Sequence, residues 1–225
     1  MHREGETARP LSECRLAKGW AIFGLAAAAI MLSFGQLPGM AACRASDAII
    51  RFEFANSGAE VASQINNPAC AQGQYYGLWW DTLLFIPAYL CFLVLALLTL
   101  RGPHRRLASV GIAMVVIGAF ADQIEGTRLF AILAAMPGEP EHFAVLYWAV
   151  RIKFALLAAV TFLLAGLLAV RAKVHWPAAL IIAVGSVLSF AGVALQDLGW
   201  LHLGGLLSWL PLIVTAQFIA WRKPA

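Results

Sequence analysis

Charge is scarce in this sequence. Only 12% of its 225 residues are charged, while 61% are hydrophobic and the mean hydropathy is +0.78. Ordinary soluble domains carry about 25% charged residues, so this chain has more apolar surface than water can cover, and lipid must cover the surplus. Several other features are missing, and each absence removes a class of function. No basic stretch is interleaved with aromatics, so the net charge of +4 and the pI near 9.1 do not point to nucleic acid. No span carries the paired histidines of a b-type haem site. There is no Ser/His arrangement and no Gly-rich phosphate loop, and Gly185-Ser186 alone is too short to count as one. His142 beside Glu139 and Glu141 reads as a solvated loop rather than a metal site. No cofactor is expected, and no internal repeat or low-complexity tract is visible.

What is present is a series of long apolar runs. A span needs about 20 mostly apolar residues, and six stretches qualify: Gly19–Pro38, Trp79–Leu100, Leu107–Met136, His142–Val170, Pro177–Gln196 and Trp200–Trp221. Continuous runs of this length do not alternate as barrel strands do, so helices are the spanning element. The expected fold is therefore all-α, a polytopic transmembrane helical bundle of six spans. Residues 1–18 form a leader, and residues 19–225 form the membrane domain with a loop insert at 39–78.

Loop charge sets the expected orientation. Arg3, Arg9, Arg15 and Lys18 precede the first span, and Arg101, Arg105 and Arg106 follow the second. Arg171 and Lys173 follow the fourth, and Arg222 and Lys223 close the chain. These four segments hold eleven of the sixteen basic residues. The alternate loops hold Asp47, Glu53, Glu60, Glu139, Glu141 and Asp197 against only Arg44 and Arg51. The positive-inside rule then places both termini in the cytoplasm, the N-in/C-in topology, in a bacterial cytoplasmic (inner) membrane. A cleaved signal peptide fits less well, because the basic leader is long and Met40-Ala41-Ala42-Cys43 lacks the leucine usual at a lipoprotein cleavage site.

The 39–78 loop is the one sizeable extracytoplasmic element. The alternation in Arg51-Phe52-Glu53-Phe54-Ala55 predicts an extended segment. Ser57-Gly58-Ala59-Glu60 reads as a capping box opening a short helix towards Ile65, which Asn66-Asn67-Pro68 ends. Cys14 belongs to the cytoplasmic side and Cys91 to the second span. Cys43 and Cys70, which share the loop, are the natural disulfide pair, and two free or buried thiols are the alternative.

The functional candidates are charges placed where charge is expensive. The third span contains Asp122, Glu125 and Arg128, the fourth Arg151 and Lys153, and the second opens on Asp81 and carries Tyr89. Each charge in hydrocarbon costs at least about 2.5 kcal/mol, so such residues face a bundle interior or a cavity, paired with one another. Asp122 and Glu125 are three apart and share a face, which Gly111, Gly118, Ala119 and Gly126 mark as a close helix contact. Arg151 and Lys153 diverge by about 200°, so Lys153 points inward while Arg151, one turn from Tyr147, snorkels. At about 1.5 Å per residue, Glu125, Tyr89 and Lys153 all lie in one layer, Asp122 slightly deeper and Asp81 nearer the outer mouth.

The order Phe52-Glu53-Phe54-Ala55, then Asp81 with Phe85-Ile86-Pro87 and Tyr89, then Asp122-x-x-Glu125, then Lys153, resembles a group of small polytopic bacterial membrane proteins without an assigned activity. The resemblance covers roughly residues 50 to 155. Gly126 stands where that group often has Asn. It implies that Glu53 belongs with the charged layer, and it implies no reaction.

Three functions follow as expectations. The first is an intramembrane charged cavity, open outward, that binds or modifies an amphiphilic, lipid-like ligand. Asp122, Glu125 and Lys153 are its catalytic candidates, and Asp81, Tyr89, Glu53, Arg151 and Arg128 its ligand-binding candidates. The second is a proton- or ion-coupled carrier using the same carboxylates, with Pro87 and Pro211 as possible helix breaks. The third is an assembly protein whose salt network fixes helix register. Membrane lipid is the expected partner in all three.

Overall fold

The computed structural model describes residues 11–45, 47–171 and 173–222. His2, Arg3, Arg9 and Lys223 lie outside them. The elements are α1 (Leu11–Ser33), α2 (Ala48–Glu53), α3 (Gly58–Gln64), α4 (Pro68–Trp80), a π-helical turn at Asp81–Phe85, α5 (Ile86–Leu100), α6 (Arg105–Ala134), α7 (Pro140–Arg171), α8 (Trp176–Leu195) and α9 (Leu198–Trp221). No strand occurs among the described residues. Six helical segments are long and apolar enough to cross a membrane, with mean hydropathy from 1.6 to 2.6, so the chain is the six-span helical bundle its hydropathy predicts.

Two local expectations are corrected. Residues 51–55 are not extended. Residues 51–53 are the last turn of α2, and 54–55 follow it directly. The alternation argument needs Glu53 to face water, but Glu53 and its neighbour Phe52 are both buried. Adjacent residues on one side fit a helix and not a strand, whose neighbours alternate. Arg51 Nε meets Asp47 Oδ1 at 2.7 Å, an i,i+4 pair that steadies the helix. The second correction concerns where the second span begins. Its helix starts at Pro68, not near Trp79, and runs unbroken to Leu100. The Asn67 side chain accepts from Cys70 N at 2.8 Å and Pro68 sits in the first turn, both strong start signals. The end of the loop insert is thus a rigid extension of the second rod.

The capping box forms. Ser57 Oγ accepts from Glu60 N at 3.3 Å, while the Glu60 carboxylate accepts from Asn56 N at 2.8 Å, one residue earlier than the usual reciprocal bond.

The spans close into a ring. Helix α1 packs between α5 and α9, α6 joins α5 to α7, and α8 joins α7 to α9, with α5 touching α7 across the middle. Trp20, Tyr89, Phe92, Leu97, Leu164 and Leu212 fill the interior. The outer faces present Phe120, Phe162, Leu180 and Leu206, each more than half exposed, as a lipid-facing surface requires. The tightest pair is α8–α9. A Cβ on Gly204 would collide with the Ser189 backbone, and one on Gly185 would sit 2.5 Å from Ser208 N. Only glycine permits this approach.

A second, smaller core forms where the loop meets the bundle. Phe52, Ala55, Val61, Ile65 and Cys70 pack against Leu129 and Ile132 of α6 and Leu146 and Val150 of α7. Cys43 and Cys70 form the disulfide that ties the start of the loop to α4, with Sγ–Sγ at 2.04 Å. The loop is therefore a cap seated on the ends of α6 and α7.

Candidate functional site

The two helices that carry most of the charge meet along a face of small residues. On α6, Gly118 lies against Leu156 of α7, so the helices approach closely and residues one and two turns along face α7. Those residues are Asp122 and Glu125. Lys153 of α7 reaches them, its Nζ donating to Glu125 Oε1 at 2.8 Å and to Asp122 Oδ1 at 3.2 Å. A third bond, at 3.0 Å, goes to Glu53 Oε2 at the end of α2. The three N–H donors of one ammonium are matched by carboxylates from the cap and from α6. Tyr89 of α5 donates to the other Asp122 oxygen at 2.9 Å. Tyr89 is held in turn by edge-on contacts to Phe85 and Trp209, at 5.5 and 6.3 Å between ring centroids.

The centre is enclosed. The side chains of Lys153, Glu53, Asp122 and Glu125 are between 2% and 10% exposed, and Glu53 covers them from the cap side. One polar atom is left over, because Glu125 Oε2 is buried without a hydrogen-bond partner. Burial pushes the Glu53 carboxyl above its ordinary range, against the pull of the Lys153 ammonium. Among the described residues no group of His, Cys, Asp or Glu is arranged to hold a metal ion. The Lys153 ammonium stands where a cation gripped by these carboxylates would stand.

The other candidates fall outside the cluster's hydrogen bonds. Asp81 is half-buried in the π turn and makes no hydrogen bond or ion pair with a described side chain, though Asp122, Lys153 and Glu53 are all within electrostatic range. Arg128 is half-buried on α6, pairs with no acid among the described residues, and leaves its Nε buried without a partner there. Arg151 turns away from Lys153. Its guanidinium lies 3.3 Å from the Tyr147 ring centroid and donates to the Tyr147 carbonyl at 3.0 Å.

Several neighbours of the centre carried no clear signal in the sequence. The π turn is one. Pro87 lacks the N–H that the helix needs and its ring crowds the preceding turn, so a wider turn gives it room. The Thr82 carbonyl then accepts from Gln123 Nε2 at 3.5 Å, a long bond that ties the turn to α6. The one signal for Gln123 is that it is an amide inside an apolar span. Phe154 is another, since Lys153 Nζ sits 4.5 Å from its ring centroid, with Phe54 of the cap tilted against it. Trp209 reaches the site from α9, far away in sequence.

A polar cleft lined by Arg51, Phe54, Asn56, Gln64, Gln196 and Leu198 lies between the cap and the α8–α9 turn. Compared with family models, with curated proteins and with solved structures, the chain matches none, so what the centre can do rests on its own geometry.

Proposed function

We propose that this is a multi-pass membrane protein that binds, and acts by acid–base chemistry on, an amphiphilic ligand reaching the Lys153 centre from the cap side. The observation that carries this reading is the imbalance of the centre. Three carboxylates surround one ammonium. A salt bridge that merely pins two helices needs one acid per base, and every further buried carboxylate adds desolvation cost without a partner. Carboxylates in excess of one ammonium leave an oxygen free to take a proton from a ligand, which is the part of a general base. Glu125, with its unpartnered oxygen, is the group assigned that role. Asp122 is oriented by Tyr89, and Lys153 tunes both. The enclosed form described above is the resting form, with Glu53 and the cap as its cover.

The cap faces the periplasm of a bacterial cytoplasmic membrane in this proposal. Support comes from the Cys43–Cys70 bridge, which persists in oxidising compartments, and from the basic residues gathered at the opposite ends of the spans.

A second reading is a register pin without ligand. It is favoured by one observation, that all three Lys153 donors are already used. The experiment that separates the two is native mass spectrometry of the protein released from lipid nanodiscs. The ligand reading expects a retained amphiphile that is lost in Glu125→Gln while the fold survives. Identical lipid retention in both proteins, together with unchanged thermal stability on adding amphiphiles, would leave only the pin.

A further inference from the structure

The geometry points to a cationic head group: the site takes an amphiphile bearing a protonated amine. This deepens the reading above and rests on it, because it names the chemical class for the same centre. Lys153 alone looks like a receptor for an anion. Its surroundings oppose that, since its three donors are already taken by Glu53, Asp122 and Glu125. An incoming phosphate or carboxylate would have to displace one of these acids and would then face the rest. What the site lacks is positive charge.

Two groups are placed to receive it. Glu125 Oε2 is buried in a side chain 2% exposed, accepts nothing, and so is a desolvated acceptor without a donor. An unmade bond at such an atom costs more than a made one contributes, and an ammonium supplies both the donor and the charge. Asp81 is the second. It is half-buried, has no hydrogen-bond or ion-pair partner among the described residues, and lies within electrostatic range of Asp122 and Glu53. It offers an approaching cation a first carboxylate before the enclosed one.

Phe85 of the same turn and Tyr89 one helical turn beyond it place two aromatic rings, in edge contact with each other, on this helix. Rings of this kind tolerate a cation and repel an anion. Lipid-facing walls around the bundle accommodate the chain.

The test uses the full chain in nanodiscs and three probes of equal chain length, dodecylamine, dodecanoate and dodecanol, with sodium chloride alone as a fourth arm. Thermal unfolding and native mass spectrometry read binding. Dodecylamine is expected to bind and to raise the unfolding temperature. Its affinity is expected to fall about tenfold in Asp81→Asn and in Glu125→Gln, the loss of one charge-assisted hydrogen bond. The Asp81 side chain has no hydrogen-bond or ion-pair partner among the described residues, so Asp81→Asn strands no other group and still decides the matter if Glu125→Gln does not.

Dodecanoate or dodecanol binding as tightly as the amine would overturn the cationic class. If either does so and still loses affinity in Glu125→Gln, the amphiphile reading stands without it. Amine binding that is indifferent to both substitutions overturns the assignment to this site. Equal stabilisation by sodium chloride alone makes the occupant an inorganic cation. If no probe binds, both readings fall.

Discussion

Lys153 joins the cap to the bundle, so its removal is felt in both. In Lys153→Met three buried carboxylates face one another without a cation. Breaking a buried pair from one side commonly costs 3 to 5 kcal/mol, and a loss of about that size is expected in chemical or thermal unfolding in micelles. Adding Glu125→Gln removes one of the stranded acids and should restore part of the loss, with Asp122 still held by Tyr89. A single variant as stable as the parent would mean that the ion pairs contribute nothing net. The residues of this centre were legible in the sequence because a charge inside an apolar run has few harmless explanations. Lys153 facing Asp122 and Glu125 also followed from spacing and depth, whereas the charges that stay out did not. Asp122, Glu125 and Arg128 look alike on a helical wheel, and only the rotation and closeness of α6 against α7 leave Arg128 out. Glu53 was tied to the charged layer only by the resemblance, and its place beside Lys153 depends on the cap folding as a helix.

Among the elements, α2 and the cap it belongs to carry the clearest pH dependence. The Glu53 carboxyl is raised above its ordinary value of 4.5 when the cap is seated, chiefly by burial. A seated Glu53 therefore binds its proton more tightly than a released one. Seating is favoured most below about pH 4.5 and weakens as pH rises through the raised value. Hydrogen exchange across residues 48–64, corrected for the intrinsic rate, should show protection declining as pH rises in the parent and staying level in Glu53→Gln. Parallel curves for the two proteins would remove Glu53 as the origin. The α8–α9 pair supports a different expectation. Gly204→Val forces a side chain into the Ser189 backbone, and overpacking of this kind typically costs 1 to 3 kcal/mol, here read as a lower unfolding temperature. The spans themselves were readable because hydropathy integrates over about 20 residues. The α4 extension, the π turn and α2 were not readable that way. Their conformations come from a cap, a proline and a buried glutamate, each a local matter that a long window averages away.

At the scale of the whole molecule the six spans, the cap and the disulfide make one asymmetric object with a capped and an uncapped end. Reporter fusions after Arg106 and Arg171 are expected to behave as cytoplasmic, and a fusion after Glu139 as periplasmic. A periplasmic signal at Arg106 would reverse the orientation and place the disulfide in a reducing compartment. The ring order, with α1 between α5 and α9, was not legible, because six apolar helices of similar hydropathy can be arranged around a ring in many ways. The small-residue faces of α6, α8 and α9 select among them only once two helices are brought together.

The pairing of Lys153 with Asp122 and Glu125 also bears on how the chain enters a membrane in the first place. Taken singly, α6 would bring two acids and an arginine into hydrocarbon, and α7 a lysine and an arginine, each at a penalty of about 2.5 kcal/mol or more. The short 135–139 link lets the two enter as one hairpin, with their opposite charges already facing each other. The same contact that closes the finished centre then lowers the barrier to making it, and the cap, arriving on the far side, adds Glu53 to a pair that has already crossed.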